Sequence, residues 1–80
     1  MPKFFFDTKA DYFLDDDVGC DFPDAHAARD AAIALLPSMM QEQIGIGQSQ
    51  EVSVLMRDQA GQDLFTASLT LAARWQVDTA

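Results

Sequence analysis

The chain has 80 residues, 49% of them hydrophobic and 22% charged, with a formal net charge of −8. This length allows one small domain, and the composition is that of a folded chain rather than a disordered one. The acidic balance excludes nucleic acid as a partner, because phosphate binding needs Lys and Arg to displace condensed cations, and a single cysteine excludes an intrachain disulfide.

Residues 1–80 read as one domain, with a loose tail at 76–80. Residues 3–8 are aromatic-rich and are expected to form a strand. Lys9 and Ala10 make a tight connection to a second short strand at 11–14, giving a hairpin. The polar run Asp15-Asp16-Asp17-Val18-Gly19-Cys20-Asp21 reads as a loop. Asp24 then stands where a helix N-cap belongs, since its carboxylate can accept from free N–H groups of the first turn. Ala27 occupies the position at which a capping box would want Glu.

The helix is predicted from Ala25 to about residue 43. At 100° per residue, Ala25, Ala28, Ala32, Leu35, Leu36 and Met39 fall within about 60° of Ala32 and form an apolar stripe. Pro37 lies nearer the opposite side, and because the stripe keeps its phase through Met39, one kinked helix is expected rather than two. Gly45 is the expected left-handed residue after its end. Residues 51–57 alternate, with Val52, Val54 and Met56 on one face and Glu51, Ser53, Leu55 and Arg57 on the other. Residues 58–61 are a turn. Residues 62–75 alternate again, with Phe65, Ala67, Leu69, Leu71, Ala73 and Trp75 sharing a face. A strand of that length would stretch about 45 Å. Either half of it overhangs the sheet and pairs with a second copy, or it bends at Ala72-Ala73 and ends early.

Two hairpins joined by a helical crossover make an α+β two-layer sandwich, ββαββ, in which one helix covers one face of a four-stranded sheet. Neighbouring residues of a strand point to opposite faces, so the triplet Phe4-Phe5-Phe6 serves both and marks the first strand as central. The expected strand order is 2-1-4-3 or 2-1-3-4. Phe5, Leu55 and Leu64 then fall on the face that the helix leaves uncovered. With Trp75 they are the candidate interface residues, on a surface that needs a partner. Chains of this size have a thin stability margin, and the usual supplements are disulfides, metals or oligomerisation. Only the last is expected here.

No chemistry-bearing constellation stands out. Asp15, Asp17, Gly19, Asp21 and Asp24 invite a calcium reading, but Cys20 stands where the turn glycine of an EF-hand belongs and His26 where its bidentate Glu belongs. The run is read as a solvated loop near the positive end of the helix dipole. Cys20 and His26 are too few for zinc, and three nearby aspartates oppose a thiolate. The serines lack a nucleophile-elbow context, and no glycine-rich phosphate loop is present. Catalytic, cofactor and metal residues are therefore expected to be none, the protein not an enzyme, and no small-molecule ligand is inferred. No secretory signal or membrane span is visible: the longest apolar run, Ala31 to Leu36, is far short of the roughly 20 residues a bilayer needs. The lone thiol fits a reducing compartment, so the protein is read as cytoplasmic.

The opening Met1-Pro2-Lys3-Phe4-Phe5-Phe6, the segment from Asp16 to Asp24, the stretch Ala27-Ala28-Arg29-Asp30-Ala31-Ala32 and the block from Val54 to Gly61 occur together in order. On these residues the chain, over roughly residues 1–75, resembles a family of short bacterial proteins frequent in rhizobia, a domain of unknown function numbered six-eight-nine-four. Members often carry a histidine after the aromatic run where this chain has Asp7, so no role of that histidine carries over. The resemblance implies no activity, cofactor or catalytic residue. A weaker similarity, over about residues 1–40, is to HicB-type antitoxins, which combine an acidic hairpin with an alanine-rich helix. Two function classes follow. The first is a protein–protein interaction domain, homodimeric or covering its open sheet face with a partner. The second is an acidic antitoxin-like regulator that neutralises a basic protein.

Overall fold

The computed structural model describes residues 1–43 and 49–77. Its elements are β1 (Lys3–Lys9), β2 (Phe13–Leu14), β3 (Cys20–Asp21), α1 (Ala25–Gln43), β4 (Ser49–Arg57) and β5 (Asp63–Ala72). The sheet is antiparallel with order β2-β1-β4-β5, and β3 pairs with the same edge of β1 as β2. Leaving β3 aside, this is the second of the two expected orders, with β1 central. The α+β sandwich with one helix is as the sequence predicts. The loop expected at 15–21 differs in that Cys20 and Asp21 return to β1 as a short strand, Phe4 opposite Cys20.

The helix forms as read. The Asp24 side chain accepts from the Ala27 N–H at 2.9 Å and its carbonyl accepts from Ala28 at 3.2 Å, closing the first turn. Pro37 sits exposed within an unbroken helix that runs to Gln43. Gly45, the expected residue after the helix, lies outside the described residues. The buried stripe is Ala28, Ala32, Leu36 and Met40, one residue every four, which advances about 40° per step. It therefore drifts away from Ala25 and Leu35, both of which are exposed.

Beneath that stripe lie Val52, Val54 and Met56 of β4, each at most 2% exposed. One cluster joins Ala32, Leu36 and Met40 to Val52 and Val54. A second joins Phe4, Ala28 and Met56, with Phe6, Phe22 and Phe65 packed around it. Phe22 closes this end, its ring edge-on to Phe6 at 5.8 Å and tilted to Phe4 at 6.2 Å. Ala28 and Ala32 have no exposed surface at all, so they set the distance between helix and sheet.

β4 begins at Ser49, two residues earlier than its alternation suggests, and β5 stops at Ala72. Every residue of β5 except Leu64 has a partner on β4, from Asp63 opposite Arg57 to Ala72 opposite Ser49. Of the two alternatives, the overhang is therefore absent, and the strand ends early. β1 reaches only as far as Ser53, so the β4–β5 hairpin projects past it. The molecule measures 53 × 20 × 16 Å with a radius of gyration of 15.2 Å, against about 12 Å for a compact chain of this length.

Enlarging the closest helix–sheet contact tests this packing. Ala32→Leu is expected to destabilise the fold by about 1–3 kcal/mol through overpacking, read as a lower urea midpoint with unchanged slope.

Candidate functional site

The sheet face opposite the helix is built by Phe5, Asp7 and Lys9 of β1, by Ser53, Leu55 and Arg57 of β4, and by Thr66, Ser68 and Thr70 of β5, as the register requires. Phe5 stands opposite Arg57, and Asp7 opposite Leu55. Asp7 and Arg57 are thus diagonal neighbours, a separation that a long side chain spans. Arg57 Nε donates to Asp7 Oδ2 at 2.6 Å and Nη2 to Asp7 Oδ1 at 2.9 Å, a bidentate pair. The guanidinium also lies 5.2 Å from the centre of the Phe5 ring.

A third member joins from the acidic loop. β2 pairs with Thr8 and Lys9, and β3 with Lys3 and Phe4. Between them the edge of β1 has no strand partner. The Phe6 N–H there donates to Asp16 Oδ2 at 3.0 Å, so one carboxylate oxygen replaces a strand carbonyl. The other oxygen accepts from the Val18 and Gly19 N–H groups at 3.0 Å each. The Asp16 N–H donates to Asp7 at 2.9 Å, and its carbonyl accepts from Arg57 Nη2 at 2.9 Å. Gly19, at φ 75°, passes so close that a Cβ there would meet Lys3 Cγ at 2.8 Å and Phe5 Cε2 at 2.9 Å.

These contacts shift the acids. The Arg57 hydrogen bonds hold the Asp7 carboxyl below its ordinary 3.8, outweighing its partial burial. Burial pushes Asp16 up, but the N–H groups of Phe6, Gly19 and Val18 outweigh it, so its value also falls. Asp7 in turn raises Arg57 by hydrogen bonding.

The structure separates the four expected interface residues. Phe5 and Leu55 lie on the open face, both half-buried, with Phe5 beneath Arg57 and Gly19. Leu64 does not lie there. The bulge opposite Met56 and Arg57 leaves it unpaired and resets the alternation, so it lines a hollow of about 220 Å³ beside Ala25, His26 and Arg29 of the helix. Trp75 stands three residues past the end of β5 and is 73% exposed. Without Leu64 the open face is more polar than an unbroken alternation from Leu64 onward implies. Missed by the sequence reading were Tyr12, Phe13 and Leu14, which are 67, 74 and 59% exposed. Their apolar run signals a buried strand, but β2 is two residues long and lies at the sheet edge. Phe13 packs beneath the Lys9 ammonium, 5.1 Å from the ring centre, on the rim of a hollow of about 240 Å³ lined by Leu55, Asp7, Asp15 and Thr66.

Cys20 is exposed in β3 and His26 is exposed in the first turn of α1. Among the described residues no three His, Cys, Asp or Glu side chains are grouped as a metal site would need, and no helix is long and apolar enough to cross a membrane.

The family described as a domain of unknown function (DUF6894) matches residues 3–70. No curated protein and no solved structure matches the chain.

Two outcomes test this arrangement. Gly19→Ala is expected to cost about 1–2 kcal/mol, because a Cβ is strained at positive φ and meets Lys3 and Phe5, and thermal unfolding reads it. Both carboxyls have folded values below their unfolded ones, so their stabilisation is complete above the ordinary 3.8 and is lost as pH falls through the lower folded values. Urea midpoints of the native chain should drop steeply between about pH 5 and 2. Asp7→Asn should start lower and drop less.

Proposed function

Because this chain belongs to the DUF6894 family, whose description names no activity, we propose its role from its surface: a non-enzymatic bacterial protein of the cytoplasm that acts by binding another protein. The observation that carries the reading is Phe13, 74% exposed on the rim of the open-face hollow. Its aromatic ring lines the same hollow as Leu55, together with Lys9, Asp7, Asp15 and Thr66, and such a mix of apolar and polar groups is that of a protein interface. The groups whose titration is displaced, Asp7, Asp16 and Arg57, hold the loop to the sheet through one another. They serve the fold, which favours a binding role over a catalytic one.

A second reading is an acidic regulator of a basic protein, akin to HicB-type antitoxins. Asp11, Asp15, Asp17 and Asp21 are all exposed along the same edge as Tyr12 and Phe13. A cationic partner would be drawn to that edge before it docks.

Immobilised full-length chain and a Phe13→Glu, Leu55→Glu variant, both checked for folding by circular dichroism, are exposed to lysate of the source cells. Proteins retained by the native chain and lost by the variant at moderate salt support the first reading. A basic protein released from both by about 1 M salt, where screening reaches 3 Å, supports the second. Identical retention at every salt concentration overturns both.

A further inference from the structure

β5 is the outermost strand of the sheet, and among the described residues nothing pairs with its outer edge. Natural edges of this kind are blunted by lysines, prolines, bulges or shortness, because unpaired N–H and C=O groups recruit another strand. This edge is ten residues long. From Leu64 to Ala73 it has no charge and no proline, and its bulge sits at one end. In a chain of net charge −8, it is a neutral line along which two like-charged copies meet without facing one another's acids.

We propose that two copies of this chain pair β5 against β5, antiparallel, to form one continuous sheet. This contact is separate from the open-face hollow around Phe13 and Leu55 and joins the chain to a second copy of itself. An identical strand suits this edge because of its symmetry. A two-fold axis perpendicular to the sheet keeps like faces together. Thr66, Ser68 and Thr70 then meet Thr and Ser across the junction, a favourable cross-strand pairing, and Phe65, Ala67, Leu69 and Leu71 meet their own kind on the helix side. The charges nearest the strand's ends are Asp63 at its start and Arg74 two residues past its last. Antiparallel self-pairing brings Asp63 of each copy towards Arg74 of the other.

The same axis places both helices on one side of the joined sheet. His26 and Arg29 flank β5, since they line the hollow with Leu64 and Phe65. At 100° per residue Ile33 falls on that same flank of α1. Ile33, Leu64 and Leu69 are 45, 40 and 38% exposed and form an apolar strip beside the free edge. A second copy covers this strip between the two helices.

The test is the mass of the full chain in reducing buffer by light scattering, from micromolar to millimolar concentration. The native chain should reach twice its 8.8 kDa. Ile33→Glu, a helix-surface change, and Leu69→Glu should each weaken association about tenfold or more. Arg74→Glu should weaken it only at low salt. Leu55→Glu, on the open face, should leave it intact. Hydrogen exchange of the native chain gives a reading that needs no variant: the β5 amides should lose protection on dilution. An 8.8 kDa mass at millimolar concentration overturns the proposal, as does exchange along β5 that ignores concentration. A dimer that survives Ile33→Glu and Leu69→Glu but splits with Leu55→Glu overturns the edge while leaving the interaction reading standing.

Discussion

The bidentate pair between Arg57 and Asp7 joins residues 50 apart in sequence, and the whole reverse side of the molecule is organised around it. It crosses from the end of β4 to the middle of β1 and fixes the guanidinium above Phe5. From there Arg57 takes hold of the Asp16 carbonyl, and Asp7 takes the Asp16 N–H. The loop is thereby held where its carboxylate can serve the edge of β1 between β3 and β2, which has no strand beside it among the described residues. Half-buried charges are costly when left alone, and here each member supplies what another would otherwise lose. An aspartate run that looks solvated from its composition has one member spent on the backbone.

On the helix side the governing constraint is small residues. Ala28 and Ala32 bring α1 down onto β4, where Val52, Val54 and Met56 fill the space. Both clusters thus depend on residues that contribute little apolar area themselves. The close approach they permit is what buries the larger side chains of the strand, and the aromatic group of Phe4, Phe6 and Phe22 finishes one end.

The parts of the fold legible in the sequence are those set by neighbours. The Asp24 cap, the extent of α1 through Pro37 and the alternation of β4 and β5 are local patterns, and the structure follows them. Leu64 was misplaced because alternation was carried through a bulge, and a bulge is fixed by the partner strand rather than by the strand's own residues. Trp75 shares the phase of β5 without belonging to the strand, which ends at Ala72. The role of Asp16 was illegible for a similar reason: the gap it fills exists only once β2 and β3 have both docked on β1. A trace of the Asp7–Arg57 pair was present, since opposite charges stand on the same face of two adjacent strands otherwise rich in apolar residues. The short strand holding Phe13 was legible, but its exposure was not, because burial depends on what packs over the sheet edge and not on the segment itself.

The projecting hairpin gives this small protein a long axis more than twice either of the others. A particle of that form meets more friction than a sphere of equal mass and tumbles anisotropically. Its Stokes radius therefore overstates its weight, and a single copy would emerge early from a sizing column calibrated with round standards. Elution position is consequently a poor guide to how many chains travel together.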